Sequence, residues 1–240
     1  MLSYANLKDK GSQLLAVTSV TQEEFERVLP KFAEAYDELY PSTLNWKGKP
    51  RQRVRGGGMK SLLRQMEDKL LFILMYHKVY AIQAAHGLQF GLSQPQANYW
   101  IHRLLPVLQT ALAKLDMTPE RDGSQFAESL SPEAPADLQI DGTDRPCQRP
   151  KDAQTQRAVY SGKHKTHTTK NVLLVNEHTH QVEFLSATQP GSMHDKKVAD
   201  TAGITYPSDA TLTKDTGFQG YEPEGVPTCQ PKKAERQVAQ

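Results

Sequence analysis

Cysteine is nearly absent from this 240-residue chain, with Cys147 and Cys229 the two instances. Two thiols give neither a disulfide framework nor the paired Cys/His spacing of a zinc site, and they fit a reducing compartment. Long hydrophobic runs are missing as well. The longest, Leu70 to Tyr76, is far short of the ~20 residues of a bilayer span and is closed by His77 and Lys78, so no membrane partner is expected. Met1 to Ser12 holds Lys8 and Lys10 but no apolar h-region, so no secretory signal is expected and the cytoplasm is the expected location. Charge of one sign is lacking too: 29 Lys and Arg against 27 Asp and Glu leave +2, which by itself points to no partner. What remains, 38% hydrophobic and 23% charged, suits a globular protein of one large domain or two modest ones.

The distribution of charge is more informative than its sum. Trp46 to Lys60 carries Lys47, Lys49, Arg51, Arg53, Arg55 and Lys60, no acid, and three consecutive glycines. Arg145 to Lys170 is a second basic zone and Lys232-Lys233 a third. Such blocks are either solvated surface and linker or contacts to phosphates, where binding releases counterions.

The first half reads as helical. Thr21 and Glu24 have capping-box spacing, and Phe25, Val28, Leu29, Phe32, Tyr36 and Leu39 recur at helical intervals up to Pro41. Pro30 inside that pattern predicts a kink or two shorter helices. A second apolar stripe runs through Leu62, Leu63, Met66, Leu70, Phe72, Ile73, Leu74 and Tyr76. A short helix over Tyr80 to His86 follows, ended by Gly87, and Ser93 caps a third helix holding Ala97, Tyr99, Trp100, Ile101, Leu104 and Leu105. This order is the grammar of a helix-turn-helix over about residues 60–106, and a plain helical bundle would give it too. In the first case Ser93, Gln94, Gln96, Asn98 and His102 are candidate DNA contacts on the outer side of the last helix.

Asp116 to Ala136 drifts into Pro, Ser, Glu and Asp and reads as a linker or frayed helix end. Beyond it the texture changes to strands: Leu138 to Ile140, then Thr166 to Asn176 and Gln181 to Thr188 as a hairpin, then Ala210 to Thr213, with a short helix over His194 to Ala202. The predicted organisation is a helical region over 1–134 and an α/β domain over 135–240.

Two aspartates stand at the ends of predicted strands and are each followed closely by glycine: Asp141 in Asp-Gly-Thr, and Asp215 in Asp-Thr-Gly-Phe. Facing one another across neighbouring strands, such carboxylates repel unless a divalent cation lies between them, and hard oxygens select Mg²⁺ or Mn²⁺. Two turn-capping aspartates would look the same. His164, His167, His178, His180 and His194 pair with no cysteine, and a predicted turn holds two of them, so zinc is not expected.

The wording around these aspartates is more specific than their spacing. Asp141-Gly142-Thr143-Asp144, Arg149-Pro150, Tyr160 to Lys170, Pro190-Gly191-Ser192-Met193-His194-Asp195, Asp215 to Tyr221 and Pro231-Lys232-Lys233 occur in that order. Over Leu138 to Lys233 the chain resembles the catalytic core of bacterial insertion-sequence transposases of the DDE superfamily, in the IS-five-like, Harbinger-related group. The resemblance implies an RNase H-like mixed sheet flanked by helices, behind an N-terminal helix-turn-helix. It implies a carboxylate site for Mg²⁺ (Mn²⁺ also serves), double-stranded DNA as partner (terminal repeats and target), a nucleoid-associated location and a homo-oligomer. The implied reaction is cleavage at transposon ends followed by attack of the freed 3′-hydroxyl on target DNA. The family's first two aspartates map onto Asp141 and Asp215. Asp195 opens a predicted helix, where its charge suits the helix N-terminus, or it lies near the metal. Asp144 is a candidate supporting partner, although strand alternation turns it to the other side of the sheet. Lys163, Lys165 and Lys170 are phosphate contacts or solvated strand faces.

The resemblance also implies a third carboxylate, a Glu on a helix beyond Pro231-Lys232-Lys233. Glu222, Glu224 and Glu235 are the acids that follow Asp215, and none stands in the expected Arg-x-x-Val-Glu setting. The sequence therefore predicts a sheet lacking its last helix, and a chain that alone cleaves DNA poorly or not at all. It would be a truncated, decayed copy, or the first part of a protein completed by frameshifting or by a complementing C-terminal chain, or a DNA-binding remnant that does not cut.

Overall fold

A computed structural model describes residues 1–45, 48–51, 61–130 and 136–230 of the chain. Most of the basic stretch from Trp46 to Lys60, with its glycine run, lies outside the described residues, as do Pro231-Lys232-Lys233 and Glu235. The chain divides into two compact units, Met1–Thr118 and Pro119–Gln240, each with its own hydrophobic core. Among the described residues no helix is long and apolar enough to cross a membrane.

The first unit is helical: α1 (Gly11–Thr18), α2 (Gln22–Leu39), α3 (Met66–Val79), α4 (Gln83–Gln89) and α5 (Gln94–Ala113). Thr21 starts α2 through a reciprocal capping box with Glu24. Its stripe of Phe25, Val28, Phe32, Ala35 and Tyr36 is buried against Leu70, Leu71, Ile73 and the inner face of α5. Pro30 does not divide the pattern into two shorter helices. Pro30 lies on the exposed side, away from the core stripe, and one helix runs through. Gly87 does not end α4 either. It lies inside the helix, where a Cβ would stand 2.8 Å from the Leu92 carbonyl and 3.2 Å from Ala97 Cβ. Its role is close approach, and the turn is made instead at Gly91, with φ +68°. Ser93 then opens α5, its N–H donating to Gln96 Oε1 at 2.9 Å. Helix, tight turn and capped helix make α4–α5 a helix-turn-helix.

The second unit begins earlier than composition suggests. Part of the polar stretch read as a linker is folded: α6 (Phe126–Ser129) buries Phe126 completely, and Thr205 N–H donates to the Gly123 carbonyl. The sheet is mixed. β1 (Asp137–Pro146) pairs antiparallel with β3 (Thr166–Asn176). Between them lie α7 (Ala153–Val159) and the short β2 (Tyr160–Ser161), which pairs with the first residues of β3. β4 (Val182–Leu185) and β5 (Gln189–Pro190) pair antiparallel with β3. After α8 (Asp195–Ala202), β6 (Thr211–Lys214) pairs parallel with β1, and β7 (Thr228–Cys229) parallel with β6. The order β4–β3–β1–β6–β7, antiparallel on one side and parallel on the other, is the mixed sheet with flanking helices that the sequence leads one to expect. Alternation fixes its faces. Leu138, Ile140, Val172, Leu174, Phe184 and Leu212 are buried on one face together with Val198 and Ala199 of α8, while Gln139, Asp141 and Thr211 are exposed on the other.

Candidate carboxylate site and helix-turn-helix

β1 is longer than the three-residue strand predicted, because its ladder with β3 carries on from Leu138 to Pro146. Asp141 is therefore inside a strand, opposite Leu173, rather than at a strand end. Its ladder with β6 does stop there. Ile140 and Lys214 are the last parallel partners, both buried, so the next residues in each chain, Asp141 and Asp215, turn to the opposite, exposed face. Asp215 continues the extended backbone with φ −84° and ψ 179°. Neighbouring strands are about 5 Å apart. The register thus sets two exposed carboxylates side by side where the parallel ladder ends.

Each carboxylate is oriented by its own loop. Asp141 Oδ1 accepts from the Gly142 N–H at 2.7 Å, and Asp215 Oδ1 accepts from the Gly217 N–H at 2.8 Å, capping the 3₁₀ turn Thr216–Phe218. Among the described residues no Lys or Arg is bonded to either, so the pair has hard oxygens to spare and no counter-charge. That donor set suits a divalent cation. Among the described residues, no group of three or more His, Cys, Asp or Glu side chains is arranged around one point as a complete metal cage.

Asp195, at the first position of α8, approaches from below. Its Oδ1 accepts from Lys170 Nζ at 2.7 Å. Lys170 is 6% exposed and also lies 3.7 Å from Asp144 Oδ2, whose partner oxygen accepts from the Thr168 hydroxyl at 2.9 Å. Lys170 is thus neither a solvated strand face nor open to a phosphate; it shares the core side of β3 with Val172 and Leu174. That alternation was visible in the sequence, whereas its pairing with Asp195 was not. Asp144 faces away from Asp141, as alternation requires. Lys163 and Lys165 are exposed in the turn before β3. His178 bonds Asp137 at 2.8 Å, and with Thr211 it holds that carboxyl below its ordinary range, the Thr211 hydroxyl contributing most.

On α5, Gln94, Gln96 and His102 are exposed with Ser93, and Asn98 is half-buried. Gln83 Oε1 accepts from both Gln94 and Asn98, at 2.8 and 3.1 Å, tying α4 to α5 across the turn. Tyr99 is exposed as well.

Residues 140–240 match the family described as DDE superfamily endonuclease, and residues 62–114 match the helix-turn-helix of DDE superfamily endonuclease. Both matches are to parts of the DDE superfamily, and together they span 154 of the 240 residues (101 and 53). The two matches cover the carboxylate site and α3 to α5 respectively. A curated relative is the probable transposase for insertion sequence element IS702 of Microchaete diplosiphon, 26% identical over 156 residues, which are 65% of this chain and 53% of the relative. The match thus spans about half the relative's length. No solved structure matches the chain significantly.

Proposed function

We propose that the chain is the DNA-recognising and metal-binding part of an insertion-sequence transposase. The observation that carries this reading is the pair of exposed carboxylates, Asp141 and Asp215, side by side where the β1–β6 ladder ends, with no Lys or Arg bonded to either among the described residues. They would hold Mg²⁺, or Mn²⁺ in its place. Such an ion supplies charge neutralisation at a phosphate and lowers the pKa of an attacking water or hydroxyl. The task of Asp141 and Asp215 is then to bind and orient, and neither has to be a tuned general base. The helix-turn-helix would present Ser93, Gln94, Gln96, Asn98 and His102 to terminal-repeat DNA, with Lys163 and Lys165 as phosphate contacts nearer the strand to be cut. The reaction is cleavage at the transposon end, followed by transfer to target DNA through the 3′-hydroxyl.

We further propose that this chain alone binds DNA well and cuts it poorly. The sequence supplies two carboxylates in the family's positions and no third acid in the Arg-x-x-Val-Glu setting. The test uses the purified chain and a duplex built from the DNA flanking its own coding sequence. A gel shift that weakens steeply with salt, Mn²⁺ binding lost in Asp141→Asn or Asp215→Asn, and at most trace cleavage are expected. Absence of a salt-dependent shift, or Mn²⁺ binding indifferent to both variants, overturns the functional reading. Efficient Mg²⁺-dependent cutting abolished by Asp141→Ala would falsify only the proposed deficit.

A further inference from the structure

We infer that Asp195 is a positioning residue: its carboxylate, neutralised by Lys170, is wedged between the backbone segments carrying Asp141 and Asp215 and sets the spacing of that pair. The inference rests on the metal-pair reading above.

Three separate motifs converge at this point. A Cβ added at Gly142 would stand 2.9 Å from Asp195 Oδ1 and 3.0 Å from its Cγ. One added at Gly217 would stand 3.0 Å from Asp195 Oδ2 and equally close to Asp215 Oδ1. Neither glycine has a positive φ, so the backbone there would accept any residue. What each position requires is room, and Asp195 is what fills it. The glycine that follows each metal-site aspartate is therefore the slot through which the Asp195 carboxylate touches both loops.

An unbalanced carboxylate pressed against the loops that carry Asp141 and Asp215 would add a third negative charge there. Lys170 removes that objection, since its ammonium is buried at 2.7 Å from Asp195 Oδ1 and is steadied from the other side by Asp144. With its charge already balanced, Asp195 has less to gain as a third ligand than as a spacer of fixed shape. α8 anchors it from behind, through Val198 and Ala199 in the core.

The experiment is Mn²⁺ binding to the full chain, read from the electron paramagnetic resonance signal of free and bound ion, with circular dichroism to confirm folding. Asp195→Ala is expected to weaken binding about tenfold or more and to alter the bound-ion spectrum, as loss of a supporting contact does. Asp195→Asn, which keeps the shape and an acceptor for Lys170, is expected to restore most of that affinity. Gly142→Ala is expected to weaken binding by crowding Asp195, and Gly142→Ala with Asp195→Ala to bind no worse than Asp195→Ala alone. If Asp195→Asn loses as much as Asp141→Asn, Asp195 is a ligand and the inference falls. Wild-type affinity in both Asp195→Ala and Gly142→Ala overturns it equally. Should Asp195→Ala not fold, Asp195→Asn and Gly142→Ala carry the same test. Indifference of Mn²⁺ binding to Asp141→Asn and Asp215→Asn is a different failure, which removes the metal-pair reading itself.

Discussion

Buried charge concentrates the consequences of single residues in this chain. Lys170 is the counter-ion of Asp195 and lies beside Asp144, with side chains only 7%, 18% and 12% exposed respectively. Removing one partner of such a cluster leaves the others charged and poorly solvated, which typically costs 3–5 kcal/mol. Lys170→Met is therefore expected to destabilise the second unit by about that much in urea unfolding, whereas Lys163→Met, in an exposed turn, should change it by less than about 0.5 kcal/mol. A neutral outcome for Lys170→Met would mean that the cluster takes up water. His86 gives the first unit a pH dependence. It is fully buried in α4, its Nε2 donates to the Phe72 carbonyl at 3.1 Å, and its Nδ1 has no partner among the described residues. Burial pushes its pKa down, outweighing the opposing bond to Phe72. The unfolded chain then takes up a proton on falling below the ordinary value of about 6.5, while the folded chain does not. Stability from this group is thus present above that pH and lost as pH falls through it. Tm is expected to drop between pH 7.5 and 5.5 in the wild type and to drop less in His86→Gln, which keeps an N–H for Phe72 but cannot titrate. Parallel curves for the two proteins would assign the dependence to other groups.

Single elements are positioned by contacts of very different reach, and this decides what could be read from sequence. The helix-turn-helix depends on α4 and α5 meeting at Gly87, where a Cβ would press on a backbone carbonyl that cannot swing aside. Gly87→Ala is expected to cost about 1–3 kcal/mol and to weaken duplex binding in a gel shift, while Gly11→Ala, with open space around it, should do neither. Unchanged DNA binding by a folded Gly87→Ala protein would separate recognition from this packing. The long apolar helices and β3 announce themselves, because burial of one face imposes a period on the sequence. The bounds of β3, Thr166 to Asn176, are legible for that reason. The outer half of β1 is not, since Asp141 to Pro146 is polar and held extended by β3 rather than by its own composition. The folded start of the second unit was hidden in the same way: in a polar stretch, only scattered residues, Phe126 with Leu130 and Ala136, join the core. At the site, the Asp-Gly motifs were visible as motifs, yet the reason for their glycines was not. Asp195 reaches Gly142 and Gly217 only once the parallel register of β1 and β6 and the placement of α8 are fixed.

At the scale of the whole chain, charge divides where the two units do. Through Thr118 there are 15 Lys and Arg against 10 Asp and Glu, and from Pro119 onward 14 against 17. The small net charge of +2 conceals a basic unit joined to an acidic one. This matters for DNA, because a basic unit draws the polyanion in before any base is read, whereas an acidic unit approaches phosphates readily only when a cation offsets its carboxylates. Each unit also closes its own core, so each should fold without the other. A fragment of residues 1–118 is therefore expected to bind duplex DNA with nearly the salt dependence of the full chain, about 0.9 logarithmic units per logarithmic unit of salt for each phosphate contacted. A fragment of residues 119–240 is expected to bind Mn²⁺ through Asp141 and Asp215, and to engage duplex DNA measurably only when the ion is present. Anisotropy titrations of both fragments from low to physiological salt, with and without Mn²⁺, decide the matter. If the first fragment folds but does not bind while the full chain does, recognition needs both units at once. If the second binds DNA equally well without metal, the acidic site is not what controls its approach to phosphate.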